Sequence, residues 1–555
     1  MSRSLALLAG ILVTAAAFAG SSEPPAAGGP FPVTIRVDLE RPRGALAPIW
    51  RFFGGDEPNY ATMKDGRRLL SALGELRPRS VYFRTHNLLN TGDGTPALKW
   101  GSTNAYTEDA HGRPRYDWSV VDRIFDAYLE RGVRPYVQIG FMPQALSTKP
   151  EPYQHEWRPG LPYGDIYTGW AYPPKDYAKW AELVYEWVRH SIDRYGEAEV
   201  ATWYWETWNE ANIGYWQGTA EEFFKLHDHA TAAVRRALPR ARVGGPDMAG
   251  SDAKYLRAFI EHCLTSGTPL DFVAFHAKGA PSYVDGHVRM GIAAQLATID
   301  RGFATVASVP ELRRTPIVIG ESDPEGCAAC QGPQLAYRNG TMYSSYTAAS
   351  FARKHDLAAR HGVNLEGALT WAFEFEDQPY FAGFRALATN GIALPVLNVF
   401  RMFSRMGGAR VVAESSAEVP LETMLREGVR GAPDVAALAS AEPGRARVMA
   451  WHYHDDDVPG PEAAVELAVA GFPATVSEAR LTHQRIDDDH SNAYAAWKRM
   501  GSPLAPTRAQ YDELVAASEL ALLDSPSAVR IENRTLTLRL TLPRQAVSLV
   551  TLEWQ

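Results

Sequence analysis

Residues Thr202–Glu210 read TWYWETWNE, a short aromatic run that ends on a carboxylate. A short apolar run of this length predicts a buried β-strand. Similar short runs recur through the first 400 residues, and stretches with helical periodicity lie between them. The other runs are Trp50–Gly55, Val81–His86, Pro135–Phe141, Val243–Asp247, Phe272–Ala277, Ile317–Glu321 and Ala368–Phe373.

The clearest helical stretch is Tyr177–Tyr195, and Asp122–Leu129 and Leu256–Leu264 are shorter examples. Its apolar residues share one face of a helix of 3.6 residues per turn. These residues are Trp180, Leu183, Val184, Trp187, Val188 and Ile192. Alternating strands and helices imply a parallel sheet, because a parallel crossover needs a helix-sized connection. Eight repeats predict an α/β fold, a (β/α)8 TIM barrel over residues 41–403.

A doubly wound open sheet is the alternative to a barrel, and the position of the polar residues separates the two. Polar side chains follow the carboxyl ends of several predicted strands. They are His86, Glu210, Asp247, His276 and Glu321. In a barrel these strand ends share one mouth, whereas in an open sheet they spread along an edge. A single mouth lets such residues act together, which favours the barrel.

The pattern changes after about Phe403, where apolar and polar residues begin to alternate with the period of half-buried antiparallel strands. The alternating segments are Arg447–Tyr453, Ala464–Val469, Val476–Thr482, Thr535–Leu542 and Val547–Trp554. They predict a C-terminal antiparallel β-sandwich over residues 404–555. Val33–Leu39 alternates in the same way, so we expect a strand over residues 32–40 to pair with the sandwich.

The first residues predict an export signal. Met1–Ala19 has Arg3 near its start, the apolar run Leu5–Val13 and a small-residue cleavage site at Ala17–Ala19. A membrane anchor is the alternative, but the apolar run is too short to span a bilayer and turn-rich residues follow it at once. Because turn-forming residues follow the signal, we expect residues 20–31 to be a flexible N-terminus of the mature protein. The mature protein is expected to be periplasmic or extracellular, with no membrane association.

Composition excludes several classes of protein. The 555 residues are 46% hydrophobic with a net charge of −8, so the chain can fill a core and lacks the basic surface of a nucleic-acid binder. Three cysteines exclude a scaffold built on disulfides. Cys327 and Cys330 form a CxxC motif, for which a small local disulfide is favoured and two free thiols are the alternative. Zinc would need a second pair of ligands, and we expect neither a metal nor an organic cofactor.

Two glutamates, Glu210 and Glu321, end the predicted fourth and seventh strands and should meet at the barrel mouth. Paired carboxylates suit glycosidic bond cleavage, in which one donates a proton to the leaving oxygen and the other attacks or activates water. Aromatic neighbours disfavour the charged form of a carboxyl, so we assign Glu210 as acid/base and Glu321 as nucleophile. Glu206 and Glu325 are interpreted as solvated or capping residues.

These residues resemble glycoside hydrolase family 39, which contains β-xylosidases and α-L-iduronidases, and the similarity runs over nearly the whole mature chain. The matching motifs are Arg84–His86, Gly140–Pro143, Pro173–Tyr177, Trp208–Glu210, Val243–Pro246, Phe272–His276, Gly320–Glu321, Trp371, Asn390–Ile392, Asn398–Arg401 and Arg485–Pro503. The resemblance implies retention of configuration through a covalent glycosyl-enzyme, with Glu210 as acid/base and Glu321 as nucleophile. It also implies sugar contacts from His86, Asn209, His276 and Trp371.

The substrate signals conflict. Lys278 and the sequence after Glu321 resemble the iduronidase branch, and a lysine could pair with a uronate carboxylate, the alternative being an exposed loop lysine. Glu374–Asp377 resembles the acidic pair with which xylosidases hold a distal hydroxyl, and Glu376 is its candidate ligand. The first hypothesis is a secreted exo-glycosidase that removes terminal β-D-xylosyl residues from oligosaccharides. The second is a uronidase on the same fold, and the third is a carbohydrate-binding protein without catalysis.

Overall fold

The computed structural model describes residues 29–555. The predicted signal at residues 1–19 lies outside the described residues, as does most of the predicted N-terminal segment 20–31. In the described part of the chain, no helix combines the length and apolarity needed to cross a bilayer.

The first unit is a parallel sheet whose strands alternate with helices. Its strands are Phe52–Gly55, Val81–Thr85, Val133–Ile139, Tyr204–Thr207, Arg242–Met248, Phe272–His276, Pro316–Glu321, Asn364–Ala368 and Thr370–Trp371. The last two are pieces of one strand, separated only by Leu369, and they lie at opposite ends of the sheet order. The sheet therefore returns to its own starting strand, which fits the predicted (β/α)8 barrel rather than an open sheet.

Helices cover the outside of the barrel. They are Lys64–Leu76, Ser119–Leu129, Tyr177–Tyr195, Glu197–Val200, Ala220–Ala237, Ala253–Ser266, Ile292–Ala307, Thr341–His361 and Pro395–Arg405. The helix Tyr177–Tyr195 has the predicted bounds, because its apolar face is continuous and the Asp176 side chain accepts from the backbone N–H groups of Ala178 and Lys179 at its start. Its tryptophan Trp187 packs 5.7 Å from Trp205 on the outer face of the fourth strand.

Aromatic rings fill the barrel interior at the amino ends of the strands. Phe52 lies 5.3 Å from Tyr82, and Tyr204 lies 5.0 Å from Tyr136 and 5.3 Å from Phe272, measured between ring centroids. Side chains alternate along a strand with period two, so Arg84 and Glu206 occupy the next inward positions above this layer. The apolar layer closes one end of the barrel and leaves the carboxyl ends of the strands for a site.

The second unit is one nine-stranded sheet. Its strands are Phe31–Ala45, Ala409–Ser415, Asp434–Glu442, Arg445–Tyr453, Ala463–Ala470, Glu478–Ile486, Ser527–Arg530, Thr535–Leu542 and Val547–Glu553. All neighbours are antiparallel except Phe31–Ala45 and Ala463–Ala470, which run parallel. The N-terminal strand thus pairs within this sheet, against Ala463–Ala470 on one side and Ala409–Ser415 on the other.

This sheet differs from the expected pair of stacked sheets because it is continuous. The side chain of Arg485, near one end of the sheet, donates to the backbone oxygen of Thr541 in the edge strand at the other end, at 2.9 Å. The sheet therefore curls towards itself around an apolar interior that includes Val448, Leu467 and Val550. The second unit also contains three short helices, Leu421–Glu427, Ala493–Arg499 and Arg508–Ala517.

The two units share buried surface. Trp451 and Tyr453 of the curled sheet belong to the same apolar cluster as the barrel core. Arg353 on the helix Thr341–His361 also makes a 3.0 Å ion pair with Asp434 of the curled sheet. The second unit therefore braces the barrel on the side of that helix.

Candidate active site

The two glutamates meet at the barrel mouth. Glu321 is the last residue of the seventh strand, and Glu210 follows the fourth strand, which ends at Thr207 and not at Glu210 as expected. A carboxylate oxygen of each, together with a ring nitrogen of His276, lie within 4.8 Å of one another. Two side chains that are 111 positions apart in the sequence are thereby placed across a gap about the width of a sugar ring.

The backbone that carries Glu210 is held in an uncommon conformation. Trp208, Glu210 and Asp247 have φ angles of +69°, +46° and +51°, a region that few non-glycine residues adopt. The backbone N–H of Glu210 donates to the carbonyl of Asp247 at 2.8 Å, which ties the two strand ends together. Such conformations concentrate at functional sites, where the surrounding structure holds them.

Glu321 is surrounded by basic side chains. The Nζ atom of Lys278 lies 2.7 Å from Oε2, while His276 lies at 3.8 Å and His86 and Arg84 lie at 3.6 and 3.7 Å from the carboxylate. Burial alone would raise the pKa of Glu321, but Lys278, followed by the other three groups, holds this pKa well below its usual range. Glu321 is therefore an anion at physiological pH, as an attacking carboxylate must be.

His276 links both glutamates to Asp247. Its Nδ1 atom lies 2.8 Å from Oε1 of Glu210, and its Nε2 atom lies 2.9 Å from Oδ1 of Asp247. Burial would lower the pKa of His276, but the carboxylates of Asp247 and Glu321 outweigh it and raise the pKa to about 10. The imidazole is then a cation with protons on both nitrogens. Both ring nitrogens of this cation are donors, which matches their carboxylate partners Glu210 and Asp247.

Asp247 approaches the seventh strand closely, and Gly320 makes this possible. A Cβ atom at position 320 would lie 1.9 Å from Oδ1 of Asp247, so any side chain there would displace the carboxylate that charges His276. The glycine before Glu321 is therefore required by packing.

Arg84 is a fully buried hub, meaning that its one guanidinium contacts several polar side chains of the site. The sequence pattern marked Arg84 only as part of a motif. Its guanidinium contacts Glu206 at 2.7 Å, forms an ion pair with Asp247, and donates to Oδ1 of Asn209 at 3.0 Å. The interpretation of Glu206 as a solvated or capping residue is wrong, because its side chain is completely buried against Arg84. The period-two alternation of the second and fourth strands would have placed both residues inside the barrel.

The predicted sugar-binding residues line the same region. His86 is buried with Nδ1 2.9 Å from Asp56, which also pairs with Lys99, and burial lowers the pKa of His86. Among the described residues, Nδ2 of Asn209 is buried and has no hydrogen-bond partner. A buried donor without a partner is costly, and a sugar hydroxyl would satisfy it.

Trp371 also lies in this region. Its ring is centred 4.4 Å from the ring of His86, and the guanidinium of Arg84 lies 5.3 Å from the Trp371 ring. Trp371 is buried at the end of the eighth strand, where its ring can border the sugar site next to Glu321. The sugar contacts of Trp371, His86, Asn209 and His276 stay predictions.

The remaining assignments have mixed outcomes. Lys278 is not an exposed loop lysine, since only 17% of its side chain is exposed and it contacts both Glu321 and Asp323. Both carboxylate oxygens of Glu376 accept from backbone N–H groups of Asp65 and Gly66 at the start of a barrel helix, at 3.0 Å each. The sugar contact of Glu376 stays a prediction, although these oxygens already have partners.

Glu325 is a second correction. It is buried and pairs with Arg385 at 2.5 Å and Arg338 at 2.9 Å, so it is neither solvated nor a helix cap. Arg385, completely buried, is a residue that the sequence analysis missed. It also lies 3.0 Å from Asp323. No local pattern in the sequence marks it, because its partners come from a segment about 60 residues earlier.

Cys327 and Cys330 form a disulfide, as favoured, and Cys263 is buried and free. The loop that the disulfide closes begins six residues after Glu321.

Comparison with known proteins shows the family of this chain. Residues 33–535 match the family described as "Glycosyl hydrolases family 39". A β-xylosidase from Geobacillus stearothermophilus is 26% identical over 85% of this chain and 86% of that protein. An α-L-iduronidase from Mus musculus is 23% identical over 96% of this chain and 83% of that protein. The crystal structure of a monomeric β-xylosidase from Caulobacter crescentus superposes with a TM-score of 0.74 at 22% identity, covering 94% of this chain and 99% of that one.

Proposed function

The chain belongs to glycosyl hydrolase family 39 and is a glycosidase, and from that premise we propose that it is an exported, retaining exo-β-xylosidase. The observation that carries the proposal is the approach of Glu210 and Glu321 at one mouth, with oxygens within 4.8 Å. Carboxyl groups about 5–5.5 Å apart are typical of retaining enzymes, whereas inverting enzymes leave about 6.5–9.5 Å for a water molecule.

In the first step the carboxylate of Glu321 attacks the anomeric carbon, and Glu210 gives its proton to the departing glycosidic oxygen. The cations around Glu321 keep it ionised for the attack. His276 contacts Oε1 of Glu210 and thereby fixes the orientation of that carboxyl, and Oε2 carries the transferred proton. The products are a covalent glycosyl ester on Glu321 and the free leaving group.

In the second step Glu210, now ionised, removes a proton from water, and the water oxygen attacks the anomeric carbon of the ester. Two displacements on opposite faces restore the original configuration. His86, Asn209 and Trp371 would hold the sugar ring during both steps. The unpartnered Nδ2 of Asn209 supports this role, because it can donate to a hydroxyl next to the reacting carbon.

Xylosides are the leading substrates because β-xylosidases are among the similar proteins and because Lys278 already has carboxylate partners in Glu321 and Asp323. A uronide remains the second candidate. It is favoured by the partial exposure of Lys278 inside the site and by the similar iduronidases. Initial rates on an aryl β-D-xyloside and an aryl α-L-iduronide separate the two.

Export and the division of the chain belong to the same proposal. The pattern of residues 1–19 supports a cleaved signal, and mass spectrometry of secreted protein would locate the new N-terminus. The change of pattern near Phe403 supports a barrel over about residues 41–403 and a sandwich-like accessory domain over about residues 404–555. The strand Phe31–Ala45, expected over residues 32–40, extends past the first limit in the second sheet, and the barrel helix Pro395–Arg405 passes the second limit by two residues.

The test of the proposed function is Glu321→Ala assayed on an aryl β-D-xyloside. We expect no measurable turnover, and we expect added azide to restore product as the α-xylosyl azide, because the small anion enters the space of the lost carboxylate. Glu261→Ala removes an exposed helix glutamate and serves as the matched control, with unchanged rates. Full activity in Glu321→Ala would end the assignment, and sugar binding without turnover in the wild type would favour the binding-protein hypothesis.

A further inference from the structure

A line of buried charges runs from the nucleophile away from the sugar site. Lys278 lies 2.7 Å from Glu321 and 2.6 Å from Asp323. Asp323 in turn lies 3.0 Å from Arg385, and Arg385 lies 2.5 Å from Glu325. Asp323 and Arg385 are completely buried on their side chains, so these contacts cannot exchange for water without a local opening. The charge alternates at every step of the line.

The line ends in the disulfide loop, which we define as residues Cys327–Cys330. Glu325 accepts from the backbone N–H of Cys327 at 2.8 Å, and the backbone N–H of Arg385 donates to the carbonyl of Ala328 at 3.0 Å. Arg338, also buried, donates to the carbonyls of Cys327, Ala328 and Cys330 at 2.7, 3.1 and 2.6 Å. The guanidinium of Arg338 therefore donates to three carbonyl groups of the turn that the disulfide closes.

The three carbonyl groups face the guanidinium of Arg338 together as long as the turn keeps its conformation. The Cys327–Cys330 bond joins residues three positions apart, with Cα atoms separated by 5.4 Å. Both cysteines are partly exposed, whereas Ala328 and Ala329 between them are buried. Without the bond the turn gains conformations in which Arg338 and Arg385 lose some of their acceptors.

We propose that the disulfide loop and Arg385 form a positioning device that holds Lys278 against the nucleophile, and this proposal rests on the proposed function of Glu321. Arg385 neutralises Asp323, which leaves the ammonium group of Lys278 shared with Glu321. If Arg385 shifts, Asp323 keeps Lys278 and the backbone N–H of Trp371 as partners but loses its second cation. Asp323 then draws Lys278 more strongly towards itself, and the cation nearest to the nucleophile withdraws.

Withdrawal of Lys278 should change the ionisation of Glu321 in one direction. The charged and titratable groups that face Glu321 are Lys278, His276, His86, Arg84, Glu210 and Asp247. Lys278 is the strongest of the groups that lower the pKa of Glu321. Its withdrawal therefore lets Glu321 take up a proton at a higher pH, so activity is lost first on the acidic side.

The experiment compares pH profiles of kcat/KM on an aryl β-D-xyloside between pH 3 and pH 8. In the Cys327→Ala/Cys330→Ala variant we expect the acidic limb to move upward by about one pH unit, which is about a tenfold loss below the limb. At pH 7 we expect a change within about twofold, and KM should change less than kcat. Cys263→Ala, which removes the cysteine outside the disulfide, is the matched control and should keep the wild-type profile.

A second arm needs no substitution. Dithiothreitol gives two electrons and two protons to the Cys327–Cys330 bond, which breaks into two thiols while the reagent closes into a cyclic disulfide. Alkylation and mass spectrometry verify the reduction. The same upward shift of the acidic limb supports the proposal, and reoxidation should reverse it. A third arm, Arg385→Lys, keeps the charge and should shift the limb less than Arg385→Met.

An unchanged profile in the folded double variant, or in the fully reduced wild type, would overturn the positioning role. This outcome differs from failure of the proposed function, in which the wild type itself would hydrolyse no aryl glycoside or Glu321→Ala would keep full activity. A loss that is equal at all pH values, accompanied by a lower Tm, would also refute the proposal, because it would mean general destabilisation instead of altered ionisation of the nucleophile.

Discussion

Removal of the Lys278 charge should raise the pH at which the enzyme becomes active. Lys278→Met keeps most of the side-chain volume and deletes the cation 2.7 Å from the Glu321 carboxylate. A protonated Glu321 cannot attack, so the acidic limb of kcat/KM reports its ionisation. The pKa of Glu321 is held well below its usual range in the wild type, and we expect the acidic limb of the wild type to lie near the acidic end of the profile measured between pH 3 and pH 8.

The magnitude follows from Coulomb's law. Two unit charges 2.7 Å apart interact by about 1.5 kcal/mol in water and by about 6 kcal/mol at an effective dielectric constant of 20. At about 1.4 kcal/mol per pH unit this brackets a shift of about one to four units. Lys278 is shared with Asp323, and the cations of Arg84 and His276 remain beside Glu321, so we expect about one to two units.

The assay is the pH dependence of kcat/KM on an aryl β-D-xyloside, measured with enzyme whose stability is checked at each pH. For Lys278→Met we expect the acidic limb to rise by about one to two units, with about a tenfold loss per unit below it. Lys278→Arg retains the charge and should move the limb less. Superimposable limbs in wild type and Lys278→Met would refute the claim that Lys278 keeps the nucleophile ionised.

The remaining predictions concern the acid/base, the hub and the imidazolium. Glu210→Ala should lose about 10²–10⁴-fold in kcat/KM on alkyl xylosides but far less in kcat/KM on a dinitrophenyl xyloside, whose leaving group needs no proton. We compare kcat/KM because it reports formation of the ester, whereas kcat also falls when the base of the second step is lost; equal losses of kcat/KM on both substrates would contradict the acid role. Arg84→Met should lower the free energy of unfolding by about 3–5 kcal/mol, because Glu206 and Asp247 would stay buried without this cation. Urea unfolding should show the loss, and an unchanged midpoint would argue against a stabilising role of Arg84. His276 has its pKa raised to about 10 from 6.5, so its contribution to stability is complete below about pH 6.5 and is lost as the pH rises towards 10. Tm should therefore fall over this range, and a slope as steep in His276→Gln as in the wild type would count against the charged imidazole.

The barrel was predictable because its signals are local. Each strand is a short apolar run, and the helix Tyr177–Tyr195 has a continuous apolar face and an Asp176 cap, so its bounds could be given to the residue. Strand ends near the site were less predictable. Glu210 was expected within the fourth strand, but the positive φ angles of Trp208 and Glu210 end the strand three residues earlier.

The curled sheet was harder to predict. Ala409–Ser415 and Asp434–Glu442 were missed, since Asp434–Glu442 is buried on both faces and rich in alanine and therefore lacks the alternation that predicts a strand. Continuity between the two expected sheets depends on which strands become neighbours. That choice is made by contacts between residues far apart in the chain.

The meeting of Glu210 and Glu321 could be predicted from the ends of strands, but the buried ion pairs around the site could not. Glu325 looks like an ordinary surface glutamate along the sequence, and it is buried because Arg385 reaches it from a loop about 60 residues later. The inward position of Glu206 follows from strand alternation, but its partner Arg84 comes from another strand and is not marked by the sequence around Glu206. A buried charge requires a partner, and the identity of that partner is a property of the fold.

The most direct test of the account is to trap the covalent intermediate. Incubation with a 2-deoxy-2-fluoro-β-D-xyloside that carries a good leaving group should form a stable ester, because the fluorine slows hydrolysis of the ester more than it slows the attack. Peptide mass spectrometry should then find one fluoroxylosyl group on the side chain of Glu321. A label on Glu210, or turnover of the reagent with no labelled peptide and an inverted product, would contradict the assignment of Glu321 as the nucleophile.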